Sequence, residues 1–305
     1  GNGGDDTLTF TGGIAANNTL DINNAATVNL SSSTYSPVGE LDIATGVGGI
    51  VLTGADGSTA TITGTGDARV VLAGITATNN PNLTINSQGA VETSTIAIGS
   101  GALNANADTD NDGVTASIFG NITAAGSVTI DAKGSSSVTI ADIDTGINGA
   151  VQITTTNGEI FVAGTIDAGT VGGGGAITLT AGTVAGTEQD VIVGSAGLLR
   201  SRNALITLDA SGDVLLNGNV NAGTGDAWMN ADAGSVIQYA GVITADEVQA
   251  LAGGAVVLAQ AGNDMNTIAA NAGAFVTIQD VDDLDVGTVN GTIGITAANS
   301  NIGIT

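Results

Sequence analysis

Residues 205–222 read Leu-Ile-Thr-Leu-Asp-Ala-Ser-Gly-Asp-Val-Leu-Leu-Asn-Gly-Asn-Val-Asn-Ala. Apolar and polar residues alternate in Leu205–Leu208, again around Val214, and again in Gly218–Ala222. Gly or Asn stands at each break. Period-two alternation over three to five residues is the pattern of a short half-buried strand, and Gly and Asn supply the turns between strands.

The same period recurs on both sides. The first strand returns as Ser-Val-Thr-Ile at 127–130, Ala-Val-Gln-Ile at 150–153 and Ala-Ile-Thr-Leu at 176–179. It returns again as Ala-Trp-Met-Asn at 227–230, Glu-Val-Gln-Ala at 247–250 and Thr-Ile-Ala-Ala at 267–270. The second strand is anchored at Val138, Ile160, Val191, Val214, Val236, Val256 and Phe275. The third is as clear at Gly164–Ala168 as at Gly218–Ala222. The first third of the chain carries looser copies, for example Leu20–Ile22, Leu41–Ile43 and Leu83–Ile85.

Two to three short strands per coil of about 19–30 residues predict an all-β chain wound as one right-handed parallel β-helix, a solenoid spanning 1–305. Inward Val, Ile and Leu stack on their counterparts one turn away. Each buries apolar surface worth about 1.5–3 kcal/mol. Trp228, Met229 and Phe275 are expected to break this aliphatic stack. The stretch 99–113 is expected to be an inserted loop. A β-sandwich would need longer strands and hairpins, and a propeller would need aromatic blade signatures.

Composition narrows the function. The 305 residues hold 29 Asp and Glu against 4 Lys and Arg, for a formal net charge of -25. No Cys and no His are present. Thiolate zinc sites, disulfides and histidine-based catalysis are therefore excluded. Four cations cannot make a nucleic-acid-binding face. No run of eighteen apolar residues is present to span a membrane. The apolar share of 42% against 11% charged residues separates the chain from disordered acidic proteins. Rungs about 4.8 Å apart lie within a Debye length of about 8 Å, so stacked carboxylates repel and salt should stabilise the rod.

Asp108-Thr-Asp110-Asn-Asp112-Gly113 is the sharpest local motif. Three carboxylates at alternate positions followed by Gly can wrap a hard cation such as Ca2+. The twelfth position of an EF-hand loop would be Phe119, so a complete EF-hand is refused. Asp280-Val-Asp282-Asp283-Leu-Asp285 reads as a solvated corner with Val281 and Leu284 inward, and Asp142 and Asp144 as an outward pair. Gly1–Leu8 is similar to a single RTX nonapeptide, whose calcium sites need neighbouring copies. Arg200 and Arg202, read as lying on a loop after Leu199, are each expected to take part in a surface ion pair. No pair of carboxylates or basic cluster supports a polysaccharide hydrolase or lyase, so no enzyme activity is expected. Thr61-Ile-Thr63 and Thr178-Leu-Thr180 are too isolated to build an ice-binding file.

The stretches Gly212–Gly223 and Gly158–Gly169 share the form Gly-x-apolar-x-apolar-x-Gly-x-apolar-x-Ala, and Ile295–Ile304 is a third stretch of similar texture. This form resembles the repeats of filamentous-haemagglutinin-like adhesins. The resemblance covers roughly residues 120–305 well and the first third loosely. It implies a large secreted bacterial surface molecule with a right-handed β-helical shaft. The expected role is thus structural: an extracellular, cell-surface shaft or filament subunit. Its expected partners are copies of itself, end-to-end or lateral, or the remainder of a longer chain, because neither terminus reads as a polar cap. The alternative is an adhesin segment that contacts a glycan or another cell through loops 99–113 and 183–190.

Overall fold

The computed structural model describes the strands between Thr7 and Thr53 as backbone. It describes residues 58–305 with side chains except at 64–69, 73, 78–79, 113–115, 125, 135–136, 171–172, 184–187 and 299–300. The described residues are all-β, with parallel strands stacked into a β-solenoid. Between Thr59 and Ala297 the chain completes about 10 turns.

Each turn has three sides. The first side is built from the five-residue strands Val128–Ala132, Val151–Thr155, Ile177–Ala181, Ile206–Ala210 and Ala227–Ala231. Their register is direct: Val151 pairs with Ile177, Ile177 with Ile206, and Ile206 with Ala227. The second side stacks Val138–Ile140, Ile160–Val162, Val191–Val193, Val214–Leu216, Val236–Gln238, Val256–Leu258 and Val276–Ile278. The third stacks Ile143–Thr145, Thr165–Asp167, Leu198–Arg200 and Asn219–Asn221. Two later turns fuse the third side with the first, in Ile243–Ala252 and Asp264–Ala272.

Alternation sets the core. The first and last residues of the second-side strands are buried and the middle one faces out. Ile153, Leu179, Leu208 and Met229 form one inward file at 0–1% exposure. Met229 therefore interrupts the aliphatic stack as expected. Trp228 does not: it takes the outward register position between Thr207 and Gln249. Phe275 is 42% exposed, and its neighbour Val276 anchors the strand. At both positions strand parity overrides the hydrophobicity of a single side chain.

The corners carry a second kind of repeat. At the entrance to the second side, Asp190 Oδ1 accepts the Asp213 N–H at 2.7 Å and Asp213 Oδ1 accepts the Ser235 N–H at 2.6 Å. Ser235 Oγ in turn accepts the Ala255 N–H at 3.0 Å. Each polar corner residue thus satisfies the backbone donor of the next turn. At the following corner a Cβ on Gly218 would lie 2.1 Å from the Gly197 carbonyl oxygen, and one on Gly241 equally close to that of Gly218. Only glycine allows backbones to approach this closely from turn to turn.

A polar amide pair sits inside, among other buried polar side chains. Asn263 is fully buried and exchanges amide hydrogen bonds with Gln238, at 2.8 and 2.9 Å. It also accepts the Ile243 N–H and donates to the Leu258 and Gln279 carbonyls, which satisfies a group that would be costly to bury alone.

Two further expectations need correction. The stretch 99–113 is not one loop, because Leu103–Ala107 is a first-side strand paired with Leu83–Asn86 and Val128–Ala132. Its Asn and Ala residues conceal a regular alternation in which Leu103, Ala105 and Ala107 point inward. The excursion begins only at Asp108. Val281 is not inward but 59% exposed, whereas Leu284 packs against the core. After Leu284 the chain forms a small antiparallel hairpin, Thr288–Val289 with Thr292–Ile293, turned at Asn290-Gly291. Gln249 donates to Thr292 Oγ1 at 2.8 Å, which holds this hairpin over the outer face of the first side.

Candidate metal centre

The Asp108 loop leaves the first side where Ala107 ends its strand. Asp108 and Asn111 both adopt left-handed backbone, φ 51° and 64°, a conformation that Asp and Asn tolerate better than most residues. The loop is tied to the turns on either side. The Asp108 N–H donates to Gly89 O and the Thr109 N–H to Ser87 O. On the other side Asn111 Oδ1 accepts the Gly134 N–H at 2.7 Å. Within the loop the Asn111 N–H donates to Asp108 O, and the Asp112 N–H to Asp108 Oδ1 at 3.2 Å.

This folding brings the three predicted carboxylates together. Asp108, Asp110 and Asp112 each offer an oxygen within 4.8 Å of the others'. Asp108 is fully buried, while Asp110 and Asp112 are exposed. Oxygens that surround one Ca2+ at 2.3–2.6 Å lie within about 5 Å of each other. The donor set is hard and anionic, which fits Ca2+ or Mg2+ and not a thiolate- or imidazole-seeking metal. Phe119 is fully buried on a second-side strand and cannot serve as a ligand.

Two further acidic corners contrast with this loop. Asp167 lies on the third side and is almost wholly buried. Arg200, one turn away in register, donates to its Oδ2. Arg202 grips the same carboxylate with Nε to Oδ1 at 2.9 Å and a terminal nitrogen to Oδ2 at 2.6 Å. Burial alone would raise the Asp167 pKa, but these hydrogen bonds and the two positive charges outweigh it and hold the carboxyl below its ordinary value. The Arg200–Arg202 pair is thus less a surface feature than a clamp on a buried acid. Aligning the turns in register brings Arg200 over Asp167, but the sequence separation of 33 residues conceals it.

Asp280 has no such clamp. Burial pushes its pKa up, and the Asp282 and Asp264 charges push the same way. The N–H groups of Asp282 and Met265 offset only part of this. Asp282 and Asp283 are exposed, as expected of a solvated corner, and so are Asp142 and Asp144.

Lys133 pairs with Asp131 at 2.6 Å, so each cationic side chain among the described residues engages a carboxylate. Arg69, the single RTX-like copy at 1–8, and residues 184–187 of the second candidate adhesive loop lie outside the described side chains. Tyr239 and Trp228 lie on different sides of the solenoid and make no shared aromatic patch. Among the described residues no helix is long and apolar enough to cross a membrane.

No protein-family model matches the chain, and neither a curated protein nor a solved structure matches it.

Proposed function

We propose that the chain is a mechanical element: the β-solenoid shaft, or a filament subunit, of an extracellular bacterial surface fibre. The observation that carries this reading is the continuity of the parallel stack. Three strand files and two corner files run from turn to turn, each backbone edge satisfied by its neighbour. Such an architecture yields a stiff rod and devotes its side chains to stacking. The filamentous-haemagglutinin-like repeat form and the acidic, Cys-free composition support the same reading. No catalytic role is assigned. Asp108, Asp110 and Asp112 form a cation clip that draws the loop at 108–112 together, with Ca2+ as the fitting ion, while Asn111 ties the loop to the next turn.

Electron microscopy of the native material at high and low calcium tests the proposal. Thin rods or fibres are expected, with an axial repeat on the order of 60 Å if subunits stack end to end. Compact particles without rods would refute the fibre reading. Calcium is expected to raise the melting temperature of the wild type and not of an Asp110→Asn/Asp112→Asn double variant. An equal rise in both would remove the cation clip.

A further inference from the structure

The three outer faces of the solenoid differ in chemistry. The first side shows Thr129, Gln152, Thr178 and Thr207 in register, and the third shows Asp144, Asp167, Arg200 and Asn221. The second side instead presents Phe161, Ile192, Leu215, Ile237 and Val257 on five consecutive turns. Phe161 is 39% exposed and the other four are partly exposed. A contiguous apolar file on a chain of net charge -25 marks an interaction surface.

Spacing selects the partner. The file repeats at the strand separation, about 4.8 Å. An α-helix lying along it offers one residue per 5.4 Å and drifts out of step by about 2–3 Å over five turns. An extended strand, with same-face residues about 6.6 Å apart, is out of step at once. Another β-solenoid keeps step indefinitely.

Charge selects the orientation. Strands of the second side enter past Glu159, Asp190, Asp213, Ser235 and Ala255 and leave past Ala163, Gly194, Asn217, Tyr239 and Ala259, so the entry edge is acidic on three of the five turns and the exit edge neutral on all of them. Two copies face to face with antiparallel axes, centred on Leu215, would set Asp213 on its own twin. With parallel axes, related by a two-fold along the rod, each acidic edge meets a neutral one.

We propose that this file is a lateral docking surface for a second copy of the chain, paired parallel and in register, Leu215 opposite Leu215. The inference goes beyond the axial reading, and its test reads pairing of isolated rods, so that the two can fail separately.

The full chain is examined by sedimentation in 1 M NaCl, where screening falls to about 3 Å and the net charge no longer keeps rods apart. Concentration-dependent dimers are expected. Leu215→Glu should weaken them about tenfold or more, and Thr207→Glu, the same charge added on the first side, should leave them unchanged. Circular dichroism and thermal midpoints confirm that both variants fold. The absence of Cys permits single spin labels at Thr139→Cys or Thr277→Cys, the outward positions flanking the file. Parallel pairing gives a short label-to-label distance for each, about 10–20 Å across two facing sheets. Antiparallel pairing centred on Leu215 places each label about 30 Å from its twin, six strand separations along the rod. A monomer at every concentration, equal weakening by the two Glu variants, or the long distance would overturn the proposal.

Discussion

Asp167, almost wholly buried, and Asp280, half-buried, sit in the same solenoid with opposite electrostatic outcomes. At Asp167 two arginines converge on one carboxylate and its pKa falls. At Asp280 the neighbours are Asp264 and Asp282, no arginine or lysine is among the groups acting on it, and its pKa rises. Stacking places like residues one strand separation apart, well within the range of their charges. A parallel solenoid therefore tolerates a run of acids where a backbone N–H or a cation faces each one, as at Asp190, Asp213 and Asp167. Where neither suffices, the acid is a standing cost.

The largest effect is expected from removing the clamp. Arg200→Ala/Arg202→Ala leaves the buried Asp167 uncompensated and should cost about 2–3 kcal/mol by denaturant titration, less than a wholly buried pair because both arginines are partly exposed. A loss below about 0.5 kcal/mol would mean that the corner relaxes and hydrates.

A smaller change of opposite sign is expected at the other corner. Asp280→Asn removes the repulsion from Asp264 and Asp282 while keeping an oxygen for the Met265 N–H. Stability should rise by about 0.5 kcal/mol at pH 7, and a loss instead would show that the carboxylate is needed in its charged form.

The pH dependences of the two corners must also differ in sign. Asp167 has a depressed folded pKa, so its stabilisation is full above the ordinary value of 3.8 and disappears as pH falls through the lower folded value. Asp280 has a raised folded pKa, so its stabilisation is full below 3.8 and is lost as pH rises through the folded value. Denaturation midpoints of the wild type and the two variants across pH 2–7 separate these contributions. Parallel curves for all three would contradict both assignments.

The smallest effect is expected from Lys133→Ala, which breaks an exposed pair with Asp131 and should change stability by about 0–0.5 kcal/mol. A change as large as that at Asp167 would show that exposure, and not burial, governs these ion pairs.

Much of this architecture was legible in the residues. The paired alternation, the turn signals and the period identify the solenoid, since stacking demands the same inward pattern on every turn. The candidate cation loop was legible too, because Asp108, Asp110 and Asp112 are close in sequence. Other features were hidden. Leu103–Ala107 was obscured because Ala is a weak marker of an inward position. Trp228 and Phe275 misled because a large apolar residue reads as core, yet one register step turns it outward.

The sequence by itself determined the repeating unit: which residues alternate, where the turns fall and how much charge the chain carries. These are local quantities, set by backbone sterics and the apolar period. Only the tertiary structure decided what lies beside what. It joined Asp167 to Arg200 and Arg202, closed Gln238 on Asn263 and aligned Phe161 to Val257 in one file. These neighbours are fixed by the register between turns, and that register depends on loop lengths that vary from one turn to the next.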